Sequence, residues 1–245
     1  MRFGFRVLAA VVAAAGLSSF ASAQSAQSLD DVVGKYLSAR GVDKWRQIQS
    51  MKVTATIDAQ GHATPMTVLS KRPNLVRQEV TVDGGTFVEA YDGTTVWGIN
   101  PQVSQDPQRV EGPQATALAE QSDFDLVLLD YKQKGYEADL VGKAKVGDRD
   151  AYDVRVTRKD GVVQDYFIDA ATFLEDRVAT QIVRAGQTLN STSEPSDFRS
   201  VEGVMMPFTI SQQVSGRPAV VLHVQKIEFN VPAGDDLFRM PRRDR

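Results

Sequence analysis

From Met51 onward, apolar side chains recur at every second residue and glycine-bearing turns cut the runs at short intervals, which restricts the possible folds more than any other feature. Val53, Ala55 and Ile57 alternate with Lys52, Thr54, Thr56 and Asp58. Met66 and Val68 repeat the pattern, and Val76, Val80 and Val82 follow with Arg77, Glu79 and Thr81 on the other face. Tyr152, Val154 and Val156 behave alike, as do Met206, Phe208 and Ile210. Successive side chains of a strand point to opposite faces, so this alternation predicts half-buried strands. Gln60-Gly61, Asp83-Gly84-Gly85, Asp92-Gly93, Asp160-Gly161, Ala185-Gly186, Glu202-Gly203 and Ser215-Gly216 supply the turns of an antiparallel meander. Roughly 10 to 11 strands are expected, and a twisted sheet of that size curls to leave a concave face. Val220, Leu222 and Val224 share one parity while Ile227 and Phe229 take the other, which predicts a bulge at Gln225 and Lys226.

Two segments depart from this period. Ser28, with Asp30 and Asp31 behind it, is an N-cap followed by acids in the first helical turn. Val32, Val33, Tyr36 and Leu37 then recur at helical spacing, Gly41 interrupts them, and Val42 to Ile48 form a second short piece carrying Trp45. Between Glu111 and Lys134, Leu118, Phe124, Leu126, Val127, Leu128 and Leu129 follow Gly112-Pro113 and predict one or two short helices, about residues 112–132. They carry more apolar surface than a peripheral helix needs, so they are expected to lie over the concave face as a lid. The fold class is α+β, and one domain is expected over residues 24–245.

The first 23 residues read as a secretory signal peptide: Arg2 and Arg6, an apolar run from Val7 to Leu17, and Ala21-Ser22-Ala23 as cleavage site. Ser18 and Ser19 interrupt the run before it reaches the ~20 apolar residues of a membrane span. With no cysteine, the chain has neither disulfide nor thiolate, nor the N-terminal Cys that a lipid anchor requires. A soluble periplasmic protein is the expected state. The formal charge of −3 becomes more negative once the leader is removed, which argues against nucleic acid as a partner. Arg239, Arg242, Arg243 and Arg245 form a basic end that is expected to be solvated.

Equipment for catalysis is sparse. His62 and His223 lie far apart, and neither has a partner at metal-binding spacing. No nucleophile-elbow, P-loop or dinucleotide motif occurs. Acids cluster at Glu120, Asp123, Asp125 and Asp130, and again at Asp235-Asp236, where a solvated face is the simplest reading. The chain is not expected to be an enzyme and no cofactor is implied.

Lys71-Arg72-Pro73-Asn74-Leu75, then Asp92-Gly93-Thr94 with Trp97, then Asn100-Pro101, in that order, resemble the LolA-like outer-membrane lipoprotein carriers and the wider lipoprotein-sorting family. The resemblance implies an unclosed, or half, β-barrel whose apolar hollow is covered by helices and holds lipoprotein acyl chains or another lipid, without nucleotide or metal. It implies an inner-membrane donor and an outer-membrane acceptor as partners for a monomeric carrier. It also implies that Arg72 ties the lid shut through lid backbone. Arg72 shares strand parity with Met66 and Val68, so it faces the hollow if they do; the alternative is a strand-end arginine reaching solvent, with Pro73 simply ending the strand. Pro73, Leu75, Val76 and Trp97 complete the motif side of the candidate cargo and lid site, with Leu118, Phe124 and Leu128 on the lid. Val76 stands where the best-known carriers have an aromatic. The same scaffold resembles sensor domains that bind a membrane-bound regulator, and that is the alternative reading.

Overall fold

Ser28 closes a capping box with Asp31, and the helix it starts, α1 (Leu29–Ala39), buries Val32, Val33 and Tyr36 on one face. The computed structural model describes residues 27–184 and 186–241, so the leader and the terminal Arg242, Arg243 and Arg245 lie outside the described residues. Gly41, at φ +75°, turns the chain directly into α2 (Val42–Trp45). A Cβ at Gly41 would stand 2.2 Å from the Gly203 carbonyl oxygen, so both the positive φ and the close approach require glycine.

The sheet then begins. Strands β1 (Ser50–Ala59), β2 (His62–Lys71), β3 (Leu75–Val82), β4 (Gly85–Tyr91), β5 (Val96–Asn100) and β6 (Ser104–Arg109) form a first antiparallel meander. Helix α3 (Pro113–Gln121) and an irregular stretch lead to a second: β7 (Glu137–Val146), β8 (Arg149–Thr157), β9 (Val163–Asp169), β10 (Glu175–Arg184), β11 (Gln187–Val201), β12 (Val204–Val214) and β13 (Val220–Phe229). β13 pairs with β1, so both meanders join in one unclosed sheet of 13 strands, ordered β6-β5-β4-β3-β2-β1-β13-β12-β11-β10-β9-β8-β7. This is the α+β half-barrel that the sequence predicts, with more strands than the expected 10 to 11. The excess has a physical reason: β6 and β11 are largely polar and half-exposed, so ladder pairing rather than apolar alternation holds them. The bulge falls where parity predicts it. Thr54 faces Lys226 and Ala55 faces Val224, leaving Gln225 without an opposite residue.

Helices and the irregular stretch cover one face of the sheet, in three clusters. α1 packs with Leu128 and Tyr131 on Val154, Val156, Tyr166 and Ile168. Trp45 and Ile48, with Phe124 and Leu129, pack on Met206, Phe208, Ile227 and Phe229. Leu118 of α3 packs on Val76 and Val96. Beneath the first cluster Arg40, the C-cap of α1, forms a buried ion pair with Glu175 of β10.

The opposite, convex face is covered by the segment that follows β13, in which Arg239 is exposed, as expected of the basic end. Lys71 donates to the Ala233 carbonyl at 2.8 Å, Arg77 to that of Leu237 at 3.1 Å, and the Trp97 indole to that of Phe238 at 2.7 Å. Phe238 is completely buried, and Met240 packs against Val88, Ala90 and Trp97. Truncating a buried phenylalanine costs about 3–5 kcal/mol. The Phe238→Ala variant is therefore expected to lose that much in chemical denaturation, with the midpoint shifted and the slope unchanged. A loss below about 0.5 kcal/mol, typical of surface substitutions, would show the strap to be ornamental.

Candidate functional site

Register fixes what lies side by side on the concave face. Phe229, Met51, Ser70, Val76, Tyr91 and Val96 form one transverse row, beneath the helices. Ile227, Val53, Val68, Gln78, Glu89 and Gly98 form the next, and Val224, Ala55, Met66, Val80 and Phe87 the one beyond it. Further towards the turns at Gln60-Gly61, Asp83-Gly84 and Ser215-Gly216, Ile57 pairs with Leu222, which faces Ile210. Met66, Val80, Phe87, Ile57, Leu222 and Ile210 are half-buried and belong to none of the helix-covered clusters. They form an apolar trough open towards those turns. A cavity of about 520 Å³ adjoins it on the β3 to β6 side, between the strands and the first turn of α3, and is lined by Val80, Phe87, Gln78, Glu89, Gln108 and Gln114 among others. That volume is in the range of small-ligand sites.

At the covered end stands Arg72, at the close of β2, where the chain passes through a cis Arg72–Pro73 bond. Its Nε donates to the Ile48 carbonyl at 2.6 Å, its Nη2 to that of Trp45 at 3.2 Å, and its Nη1 to Asp125 Oδ2 at 2.6 Å. The guanidinium lies over the Phe124 ring, 4.8 Å from its centroid. Asp125 Oδ1 accepts the Trp45 indole N–H at 3.1 Å, and the Phe124 N–H donates to the Pro73 carbonyl at 3.1 Å. A half-buried guanidinium needs several acceptors at once, and this cage supplies three. The acceptors differ from those the resemblance implies. The carbonyls belong to α2 and the residues after it, whereas the lid is reached through the Asp125 carboxylate and the Phe124 ring.

The lid differs in form as well. Only Pro113–Gln121 is helical, and the stretch with Phe124 and Leu128 is a succession of turns. No side-chain cap holds the start of α3, and Phe124 and Leu128 are committed to the α2 and α1 clusters respectively. Electrostatic clips pin the irregular stretch. Arg46 grips Asp130 with two bonds of 2.8 and 2.7 Å, and Lys134 donates to Asp123 at 2.8 Å and to the Leu126 carbonyl at 3.1 Å. The acids read as a solvated face are thus, for Asp123, Asp125 and Asp130, fasteners. In the sequence only their proximity showed, because their cations are separated from them by as many as 84 positions.

Two motif residues lie on the wrong face for the trough. Trp97 pairs with Ala90 and Leu75 with Lys71, so both share parity with the convex side, where Trp97 is fully buried under Phe238 and Arg77 stacks 5.4 Å from its ring. Alternation alone could have shown this, since Val76 and Val96 face the trough and their neighbours cannot. Met66, Val68, Val76 and Arg72 lie on the concave side, and Pro73 is exposed in the turn that follows β2. Gln78 and Val80, by strand parity with Val76, and Glu89 and Phe87, by parity with Tyr91, line the same face.

Among the described residues no group of three potential metal ligands occurs, and His62 and His223 are both exposed. No helix among the described residues is long and apolar enough to cross a membrane. Burial tends to raise the Asp125 carboxyl pKa, but the Arg72 hydrogen bond and charge, with the Trp45 N–H, outweigh it and hold the group below its ordinary 3.8. A carboxyl depressed in the folded state stabilises fully above its ordinary value, and the contribution is lost as pH falls through that value and the folded one. Asp125→Asn is expected to lose about 1.5–3 kcal/mol near neutrality, as for a hydrogen bond to a charged group. The deficit should vanish in strong acid, where the native carboxyl is protonated too. Parallel pH profiles of stability for the two proteins would refute this.

No family model matches the sequence, and no curated protein matches it. Solved structures do. A LolA superfamily protein from Nitrosomonas europaea is 19% identical, with a TM-score of 0.60 over 87% of this chain and 98% of its own. An outer membrane lipoprotein-sorting protein domain from Vibrio parahaemolyticus is 13% identical, with a TM-score of 0.57 over 84% and 94%. A DUF1329 family protein from Desulfovibrio piger is 16% identical, with a TM-score of 0.59 over 85% and 97%. The fold is LolA-like, and at these identities the likeness is one of fold.

Proposed function

We propose that this chain is a periplasmic carrier that binds lipophilic cargo, the acyl chains of lipoproteins or another lipid, in the concave trough. Residues 1–23 act as its secretory signal and 24–245 as one binding domain. The observation that carries this reading is the contiguous patch of Met66, Val80, Phe87, Ile57, Leu222 and Ile210, half-buried in a concave face and, among the described residues, part of none of the helix-covered clusters. A monomer rarely leaves such a patch without a use. The helix-covered clusters satisfy the core elsewhere, and this patch has no evident structural duty.

Energetics set the mechanism. Each buried CH₂ gains about 0.8 kcal/mol, so binding a long chain is easy and letting go is hard. Release without an energy source requires a closed state in which the protein fills its own hollow. α3 is the movable cover in this scheme, since Leu118 is its one buried side chain and its N-cap makes no side-chain bond. Arg72 keeps the neighbouring stretch in place so that α3 closes onto a fixed base. Cargo and the closed position of Leu118 then compete for the space over Val68 and Val76.

Native mass spectrometry of the protein from its own periplasm tests the reading, with a co-purifying acyl species as the expected result. A stable protein partner with no lipid would favour the sensor instead. Phe87→Gln is expected to weaken a fluorescent fatty probe at least about tenfold, or ~1.4 kcal/mol, with thermal stability nearly unchanged. Unaltered probe affinity would place the binding site elsewhere. Arg72→Leu is expected to retain acylated cargo that the wild-type protein passes to acceptor membranes, read as the fraction transferred over time. Equal transfer by both would remove Arg72 from the mechanism.

A further inference from the structure

The cavity beside the trough adds polar groups to an apolar lining. Val80 and Phe87, continuous with the row through Met66, line it together with Val88, Ile99, Val103 and Val110, and among them stand the amides of Gln78, Asn100, Gln108 and Gln114 and one carboxylate, Glu89. No lysine or arginine lines it. Gln78, Glu89, Gly98 and Gln108 face one another across β3 to β6 in a single register row, so the polar strip is built by the sheet itself. Gly98 is its floor. A Cβ there would stand 2.7 Å from the Val88 carbonyl oxygen and 3.6 Å from both Glu89 Cγ and Val110 Cγ2, so glycine keeps the strip open to its base. Gln114, in the first turn of α3, donates to Glu89, which joins the movable cover to the polar wall.

We propose that this cavity is the head-group subsite of the trough and that it selects acyl chains carrying an uncharged, hydrogen-bonding head, an ester or amide linkage, over chains ending in an anion. The inference rests on the lipid-binding reading above and adds the ligand class to it. The apolar row leads from Met66 through Val80 and Phe87 to the strip, so a chain lying along it delivers its head to the amides. Each side-chain amide offers both donors and acceptors and can satisfy the carbonyl and N–H or O–H of such a linkage. A carboxylate or phosphate head would meet Glu89 with no cation to offset it, and like charges in a partly desolvated site disfavour one another. A glycerol ester from a lipid and an amide from an acylated protein share this chemistry.

The test is displacement of a fluorescent fatty probe from the purified protein at mildly alkaline pH. The competitors have one chain length: a monoacylglycerol, an N-acyl glycinamide and the fatty acid anion. Either or both neutral ligands are expected to compete at least about tenfold more strongly than the anion, and whichever is stronger identifies the source. Glu89→Gln preserves shape and an acceptor for Gln114 and should raise affinity for the anion alone. Glu89→Lys should make the anion the preferred ligand. Equal competition by all three, or an anion preference in the wild-type protein, would overturn the head-group assignment and leave the carrier reading intact. Failure of every competitor and of the probe would bring down both.

Discussion

The pairing of β1 with β13 is the constraint on which the rest of the molecule depends. Every other strand pair is a local hairpin neighbour, and without this ladder the chain would hold two separate meanders of six and seven strands. Joining them demands closure of a loop spanning most of the chain, which is entropically costly and slow. The gain is a sheet long enough to curl. The bulge at Gln225, lying in this ladder, adds local bend next to the trough. Val224 and Ala55, which lead into the row of Met66, Val80 and Phe87, meet only because the ladder exists.

Arg72 stands at the other end of the same strands. Its five donors cannot be neutralised by proton loss, so the cage of Ile48, Trp45 and Asp125 is obligatory once the side chain is drawn inward. The cage gathers three segments distant in sequence: the end of the N-terminal helices, the close of β2 and the stretch after α3. The covered end of the half-barrel is thereby fixed by directional bonds, whereas the open end is lined by half-buried side chains that belong to none of the helix-covered clusters. Rigidity and vacancy are separated along the strands.

The sequence made the strand periodicity, the capping box and the bulge legible because each depends on residues close together or on parity alone. Motif order alone points Trp97 and Leu75 to the hollow, whereas their parity, opposite to Val96 and Val76, sends them to the convex side, where Trp97 is the core aromatic that is the simplest reading of such a residue. Asp125 could not have been distinguished from Asp123 or Asp130, since its function depends on Arg72 and Trp45, which are brought to it only by the fold. The C-terminal strap has no periodicity, and Phe238, its fully buried side chain, reads as an ordinary apolar residue near an end. β6 and β11 lacked an apolar signature because they are held at their backbones.

The turns that rim the open end have a consequence for how such a protein can diversify. A Cβ placed at Gly61, Gly84 or Gly216 would touch nothing, so these hairpin tips abut neither helix nor strap. Insertions there could lengthen the flanking strands in register and deepen the trough for longer chains, while the Arg72 cage remained untouched. Capacity and anchoring are thus separable traits, and lineages of this architecture are free to change the first by indels without re-evolving the second.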